Sequence, residues 1–485
     1  MKLQELLKNI QVLESTADGA MEISGLCYDS RRVRPGDVFV ALRGYSSDGH
    51  KFIDAAAQLG AAAVICQEKP EGSIPYVLVA DSRLALALAS CEFFGNPADE
   101  MKLVGVTGTN GKTTTTMLLK HVIESVTGQM VGLIGTNQNM IGSRVLETEH
   151  TTPESYELQR LFREMADSGC KYVVMEVSSH ALTLSRVGGV SFEAGVFTNL
   201  TQDHLDFHGS MEEYAKAKAR LFGQCKALAV NLDDDWSGFM LEKAQCPVFT
   251  FSEKHSEADL IARDIRFSPE EVRFVALIGE GSIERIRLGI PGRFSVYNAL
   301  AVIAAAHLLG LKLDETAAAL REAKGVKGRV EVVPGTMGFT ILIDYAHTPD
   351  ALENVIRSIK EVSPGRVVVL FGCGGDRDRA KRPIMGEIGV RLADFAIITS
   401  DNPRTEVPAE IIAEIVSGVK EPKSKFTVIE DRERAIAWAI ENQRPDDVII
   451  LAGKGHETYQ IVGTEKRHMD EREIVAKVLA ELKTD

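Results

Sequence analysis

The sequence predicts an α/β protein of three domains, with a central P-loop domain on a mainly parallel sheet and a C-terminal Rossmann-like domain. Three observations predict it. At ordinary domain sizes, 485 residues make about three domains. The 41 glycines suit a chain with many tight strand-to-helix turns. Short apolar runs alternate with helical stretches, the pattern of βαβ units around a parallel sheet.

The first domain is expected over residues 1–97. MKLQELLKNI at its start carries polar residues inside an apolar pattern, and reads as an amphipathic helix rather than a signal peptide. Residues 37–42 (DVFVAL) and 61–66 (AAAVIC) read as strands with a helical stretch between them. Gly95, Asn96 and Pro97 form a turn cluster that suits a linker.

The central domain is expected over residues 98–328. Residues 102–106 (KLVGV) form an apolar strand that enters the Gly-rich turn GVTGTNGKTTTT at 105–116, with a helix beyond. Glycines let backbone N–H groups approach phosphate oxygens, and the helix N-terminus adds positive potential. Lys112 would reach the terminal phosphates, and Thr113 would offer its hydroxyl to Mg²⁺. The strict pattern GxxxxGK[ST] fails by one position, because Val106 stands where the first Gly belongs and Gly105 comes one residue early. Further strands are expected at 130–134, 172–177, 194–198 and 227–230.

Three residues of this domain stand out. Glu176 ends a strand pattern beside the phosphate loop, where a carboxylate can hold Mg²⁺ or can simply meet solvent. His204 lies in the polar stretch TNLTQDHLDFHG, and its type alone leaves a ligand and a structural histidine equally open. Lys218 falls on the apolar stripe of MEEYAKAKARLF with Tyr214, Ala217, Leu221 and Phe222, opposite Lys216 and Arg220. A lysine there is either snorkelling at the stripe's edge or buried with a partner or a changed charge.

The third domain is expected over residues 329–485. Strands are expected at 341–343, 367–371, 395–399 and 448–451, each followed by a helical stretch. RVVVLFGCGGDRD lacks the last Gly of GxGxxG, Arg377 standing in its place, so NAD binding is disfavoured. Arg377, the turn Asp401, Asn402, Pro403 and Arg404, and Gly453 to Glu457 all follow strand ends, where open α/β sheets bind ligands. Two arginines with two acids suit a zwitterionic amino acid: a guanidinium for its carboxylate, acids for its ammonium.

The bulk properties exclude other classes. A net charge of −14 argues against a nucleic-acid surface. Seven scattered cysteines without a CxxC pair suit a reduced, cytoplasmic protein. No apolar run is long enough to insert in a membrane.

The motifs GTNGKTTT, MEVSSHAL, FTNLTQDHLDFHG, YAKAKARLF, GRFSVYNAL, GVKGRVE, DYAHTPD, GGDRD, DNPR and GKGHE occur in the order found in the Mur ligases. Over essentially its whole length the chain resembles that family, in its diaminopimelate-adding branch. The resemblance implies an ATP-dependent ligase that adds meso-diaminopimelate to UDP-MurNAc-L-Ala-D-Glu through an acyl phosphate, as a cytoplasmic monomer. By position it implies that Gly108, Thr109, Asn110, Gly111, Lys112, Thr113, Thr114, Asn298, Arg329, Asp344 and His347 contact ATP. Thr113, Glu176, His204 and Lys218 would serve Mg²⁺, with Lys218 as a CO₂-derived carbamate, N6-carboxylysine. Catalysis would fall to Lys112, Glu176, His204 and Lys218. The nucleotide precursor would meet Asp29, Ser30, Tyr45, Ser46, Ser47, Thr151, Thr152, Ser178 and Arg186. Leu184 stands where the family often has a Gln. Diaminopimelate would meet Arg377, Asp401, Asn402, Pro403, Arg404, Gly453 and Glu457.

DNPR matches the diaminopimelate-adding branch, and lysine-adding relatives lack this Arg. Diaminopimelate carries a second carboxylate where lysine has only hydrogen, so a buried Arg rewards the former and is left unpaired by the latter. The competing readings are a lysine-adding or folylpolyglutamate-type ligase, and a nucleotide-binding regulator of the same fold.

Overall fold

The computed structural model describes every residue except Tyr45, Ser46, Glu149, Glu280, Lys324, Met337 and residues 483–485. It is mixed α/β in three domains, and contacts group it into two compact units. The first unit comprises Met1–Phe251, Glu257–Asp259 and Ala301–Leu311; the second comprises Ser252–Ser256, Leu260–Leu300 and Lys312–Asp485.

Within the first unit, a five-stranded sheet runs in the order Val12–Ser15, Tyr76–Val79, Ala63–Cys66, Asp37–Val40, Gly25–Cys27. All pairs but the first are parallel. Helix Ser82–Phe93 is started by Asp81, whose carboxylate accepts from the N–H groups of Arg83 and Leu84. It lays Ala85, Leu86 and Ala89 on the sheet. The expected N-terminal helix is shorter than its pattern, covering only Leu3–Leu6. Four residues cannot sustain a helix alone; Leu3 and Leu6, both fully buried, hold this turn in the core.

The second sheet of this unit places Lys102–Thr107 between Tyr172–Glu176 and Ala194–Phe197, all parallel. Leu228–Asn231 and Val248–Ser252 continue it in parallel on the Ala194–Phe197 side. Val131–Ile134 pairs in parallel with Tyr172–Glu176 on the other side. The inner strands are buried along their length, as a sheet covered on both faces requires. The phosphate-loop strand is therefore central, and its C-terminal end opens where ligands of such sheets bind.

The second unit holds the sheet Glu331–Val332, Thr340–Asp344, Val448–Ala452, Val367–Phe371, Phe395–Ile398, Phe426–Val428, parallel but for its first pair. Two features depart from the sequence expectation. The stretch after Val448–Ala452 is a hairpin, Tyr459–Val462 with Glu465–His468, not a helix. Gly463, at φ +62°, turns it, and the helix comes later as Glu471–Leu482. Within the region expected to alternate strand and helix, Leu260–Phe267, Val272–Ile278 and Ser282–Leu288 form an antiparallel meander. Its alternating burial follows an in-out polarity already present in the sequence.

Candidate active site

The phosphate loop is shorter than the strict pattern. Gly105 and Val106 lie inside the strand, and a Cβ on Gly105 would press against Phe192 at 3.0 Å. The loop's own glycines are Gly108 at φ +148° and Gly111 at φ +85°, the latter capping helix Lys112–Thr127. A Cβ on Gly108 would sit 1.9 Å from the Thr198 hydroxyl. Segment 198–201 braces the loop from the side. The Thr109 N–H donates to the Asn199 carbonyl (2.9 Å), the Asn110 N–H to Asn199 Oδ1 (2.9 Å), and the Thr198 hydroxyl to the Asn110 carbonyl (2.7 Å). Lys112 Nζ folds back on the carbonyls of Gly108 and Thr109, each at 2.8 Å. Thr113 and Thr114 are buried on the first turn of the helix. The arrangement can receive an anion on a helix N-terminus beside a lysine.

Lys218 joins this loop. It is fully buried on helix Met211–Ala219, its Nζ donating to the Gly108 carbonyl at 2.8 Å and lying 4.5 Å above the Tyr214 ring. The snorkelling reading is thus excluded, while Lys216 on the opposite face is exposed. Burial and the nearby Lys112 ammonium pull its pKa far below the ordinary lysine value, against the pull of Asp203. An amine pushed toward its neutral form fits attack on CO₂, and the resulting anion would lie beside the Lys112 cation.

Glu176 is buried at its strand end, not solvent-facing. Its carboxylate accepts from the Thr136 N–H (2.8 Å) and the Thr136 hydroxyl (3.0 Å). Four residues of the expected precursor set gather here. Thr151 Oγ1 lies 3.0 Å from Thr136 Oγ1, and the Thr152 hydroxyl donates to the Glu176 carbonyl at 2.9 Å. The Ser178 N–H donates to the Thr152 hydroxyl at 3.2 Å, and Arg186 Nη1 to the Thr152 carbonyl at 3.0 Å.

His204 stands apart from the buried groups. It is 47% exposed, with φ +52°, and its Nε2 lies 3.4 Å from Asp203 Oδ2. Its ring faces His180 at 4.8 Å. Among the described residues no three His, Cys, Asp or Glu side chains form a metal cage. Mg²⁺ does not need one, because it takes few carboxylates and completes its shell with phosphate and water. A hydroxyl, a buried carboxylate and phosphate oxygens are a fitting donor set for it.

A cavity of about 1180 Å³ in the first unit is lined by Asp29, Arg32, Arg34, Glu154, Arg160 and Arg186, among others. Asp29 caps the turn Ser30–Arg32 by accepting from the Arg31 N–H at 3.1 Å. Ser30 and Ser47 do not line this cavity, and Tyr45 and Ser46 lie outside the described residues. The sequence reading passed over Arg32, Arg34 and Arg160, although the basic run at 31–34 marked two of them.

The expected ATP set divides between the units. In the second, Asp344 is buried and accepts from the N–H groups of Val330 and Ala346, each at 2.8 Å. Burial raises its pKa above the ordinary carboxylate value, against the Arg329 guanidinium. That guanidinium lies 5.2 Å over the Tyr345 ring, and His347 Nδ1 meets the Tyr345 carbonyl at 2.7 Å. Asn298 is buried on helix Phe294–Leu308.

The amino-acid residues also gather in the second unit. Asp401, Asn402 and Pro403 are buried. Arg404, half-buried at φ +51°, donates from Nη1 to the Gly375 carbonyl at 2.7 Å. Its backbone docks on the hairpin: the Arg404 N–H donates to the Ile461 carbonyl (3.1 Å), and the Gly463 N–H to the Arg404 carbonyl (2.7 Å). Asn402 Nδ2 donates to Glu457 Oε2 at 3.0 Å. Gly453, at φ +114°, leaves room for Asp401, whose Oδ2 a Cβ would meet at 2.7 Å. Burial alone would raise the Asp401 pKa, but Lys454 and Arg432 outweigh it and hold the carboxyl below its ordinary value. Arg377 is exposed and donates to its neighbour's carbonyl, that of Asp376, at 3.0 Å. Lys454 and the fully buried Arg432–Glu471 pair, beneath this cluster, were missed by the sequence reading.

The Mur ligase family catalytic domain matches residues 22–86, the Mur ligase middle domain 106–306, and the Mur ligase glutamate ligase domain 328–455. A UDP-N-acetylmuramoyl-L-alanyl-D-glutamate–2,6-diaminopimelate ligase from Caldanaerobacter subterraneus subsp. tengcongensis is 49% identical, covering 99% of both chains. A ligase of the same name from Clostridium tetani is 44% identical over 99% of this chain and 100% of its own. A solved structure of an enzyme of that name superposes with a TM-score of 0.76 at 32% identity, covering 100% of this chain and 99% of the other.

Proposed function

This chain belongs to the Mur ligase family, and we propose that it joins meso-diaminopimelate to UDP-MurNAc-L-Ala-D-Glu at the expense of ATP, in peptidoglycan precursor synthesis. The terminal phosphoryl group of ATP passes to the γ-carboxylate of the D-glutamyl residue, giving an acyl phosphate and ADP. The diaminopimelate amine attacks the acyl carbon. The tetrahedral intermediate expels phosphate and the nitrogen loses a proton, leaving an amide. Phosphorylation is needed because a carboxylate is a poor electrophile.

The chain's part is to position and to neutralise charge. Gly108, Thr109, Asn110, Gly111, Thr113 and Thr114 cradle the phosphates, and Lys112 leaves the loop carbonyls for the phosphoryl oxygens. Mg²⁺, when bound at Thr113 and Glu176 with His204, supplies Lewis-acid charge to those oxygens. Lys218, carrying a carbamate, would hold and orient this cluster. Asn298, Arg329, Asp344 and His347 serve the rest of the nucleotide. Asp29 and Ser30, with Thr151, Thr152, Ser178 and Arg186, take the precursor, and the cavity arginines suit its diphosphate. The domains are assigned as 1–97, 98–328 and 329–485. The seven unpaired cysteines suit a cytoplasmic enzyme, which we take to act as a monomer.

One observation carries the choice of amino acid. Arg404 and Glu457, a guanidinium and a carboxylate, are both tied to the loop and hairpin around Asn402. That pairing fits the carboxylate and ammonium at the far end of diaminopimelate. Phosphate release measured with ATP, the muramoyl dipeptide and either amino acid tests it. Turnover dependent on diaminopimelate supports the assignment. Turnover with lysine supports a lysine-adding ligase, and turnover with neither supports a nucleotide-binding regulator.

A further inference from the structure

Lys454 is fully buried, and its ammonium uses three donors on three different stretches of chain. It donates to Asn402 Oδ1 at 2.5 Å, to Glu457 Oε2 at 3.2 Å and to the Tyr459 carbonyl at 2.7 Å. Asn402 belongs to the loop after Phe395–Ile398, Glu457 to the loop after Val448–Ala452, and Tyr459 to the hairpin.

Those contacts fix more than a lysine. Asn402 Oδ1 accepts from both Lys454 Nζ and the Ile461 N–H (2.9 Å), so its Nδ2 must face Glu457. Lys454 and Asn402 both donate to Oε2 of Glu457, and among the described residues no hydrogen bond engages Oε1. That oxygen is left for an incoming ammonium. The hairpin that Lys454 grips through Tyr459 also carries the Arg404 backbone. One buried cation therefore sets the acid for the ammonium and the guanidinium for the carboxylate.

We propose that Lys454 is a positioning residue for amino-acid selection, aligning Glu457 and Arg404 as a pair without touching the substrate. The proposal rests on the assignment of diaminopimelate to this cluster. A methionine at 454 keeps the volume and removes the charge, leaving Glu457 and Asn402 each a partner short.

The test is steady-state kinetics on full-length Lys454→Met, Lys454→Ala and Arg404→Ala. Lys454→Met is expected to raise the KM for diaminopimelate about tenfold, with kcat and the KM for ATP within about threefold. Ethylammonium added to Lys454→Ala is expected to lower the raised KM for diaminopimelate and leave that for ATP alone. An unchanged diaminopimelate KM in both Lys454 variants overturns the proposal. So does a parallel loss in every constant, or failure of both variants to fold, because Lys454 would then serve the domain and not the site. Arg404→Ala separates the two levels. If it leaves the diaminopimelate KM unchanged, the assignment of the site fails; if it raises that KM and Lys454→Met does not, only the positioning role fails.

Discussion

Lys218 Nζ donates to the carbonyl of Gly108, 110 residues earlier in the chain, at 2.8 Å. This bond seats a fully buried lysine against the phosphate loop, beside a second lysine that repels its charged form. Lys218→Ala is expected to lower kcat by about a thousandfold or more, because the carbamate anion we propose to order the phosphates and metal would be gone. Formate or acetate is expected to restore part of the activity. In the unsubstituted protein, ¹³C-bicarbonate should give a carbamate carbonyl resonance that the variant lacks. Full activity in the variant contradicts the role.

The loop itself is tested at Gly108. An alanine there meets the Thr198 hydroxyl at 1.9 Å in a backbone conformation that side chains rarely adopt. Thr198 cannot simply swing away, since its hydroxyl anchors the Asn110 carbonyl at 2.7 Å. Gly108→Ala is expected to raise the KM for ATP by about tenfold or more, with the KM for diaminopimelate near its original value. Nucleotide titration calorimetry checks it, and unchanged ATP affinity contradicts it.

Arg404 is tested for selectivity. Arg404→Ala would remove the guanidinium we propose to meet the second carboxylate, so the KM for diaminopimelate is expected to rise about ten- to a hundredfold. The KM for ATP should hardly move. Competition between diaminopimelate and lysine should narrow, because the variant no longer leaves a guanidinium unpaired with lysine.

His456 gives a pH dependence. Burial first, then Arg329, Lys327 and Arg472, pushes its pKa down to about 4. The folded state thus binds fewer protons than the unfolded state between pH 6.5 and about 4. Its contribution to stability is complete above pH 6.5 and is lost as pH falls through this window. Melting temperatures of the native protein and His456→Gln, followed from neutral pH down to about 4.5, check it. The variant is expected to lose less stability on acidification, and parallel curves contradict the assignment.

Much of this site was legible before the fold. The strand into GTNGKTTT, the misplaced lysine in YAKAKARLF and the strand-end cluster DNPR each follow from local pattern and turn chemistry. Burial of Glu176 and Lys218 was not legible. Glu176 is buried by Thr136, forty residues away, and Lys218 by a loop carbonyl more distant still. Lys454 was hidden for the same reason: its motif marks a turn, but its partner Asn402 lies 52 residues away on another strand end. The hairpin Tyr459–Val462 with Glu465–His468 had Gly463 at its turn as its one signal, because Glu465–His468 is polar throughout and carries no alternation, and an expected βα repeat overrode it.

The mass of the product tests the central claim most directly. Incubated with ATP, Mg²⁺, UDP-MurNAc-L-Ala-D-Glu and an equal mixture of meso-diaminopimelate and lysine, the enzyme should yield a nucleotide heavier by one diaminopimelate less one water. A product carrying lysine, or recovery of the dipeptide precursor unchanged, would contradict the account.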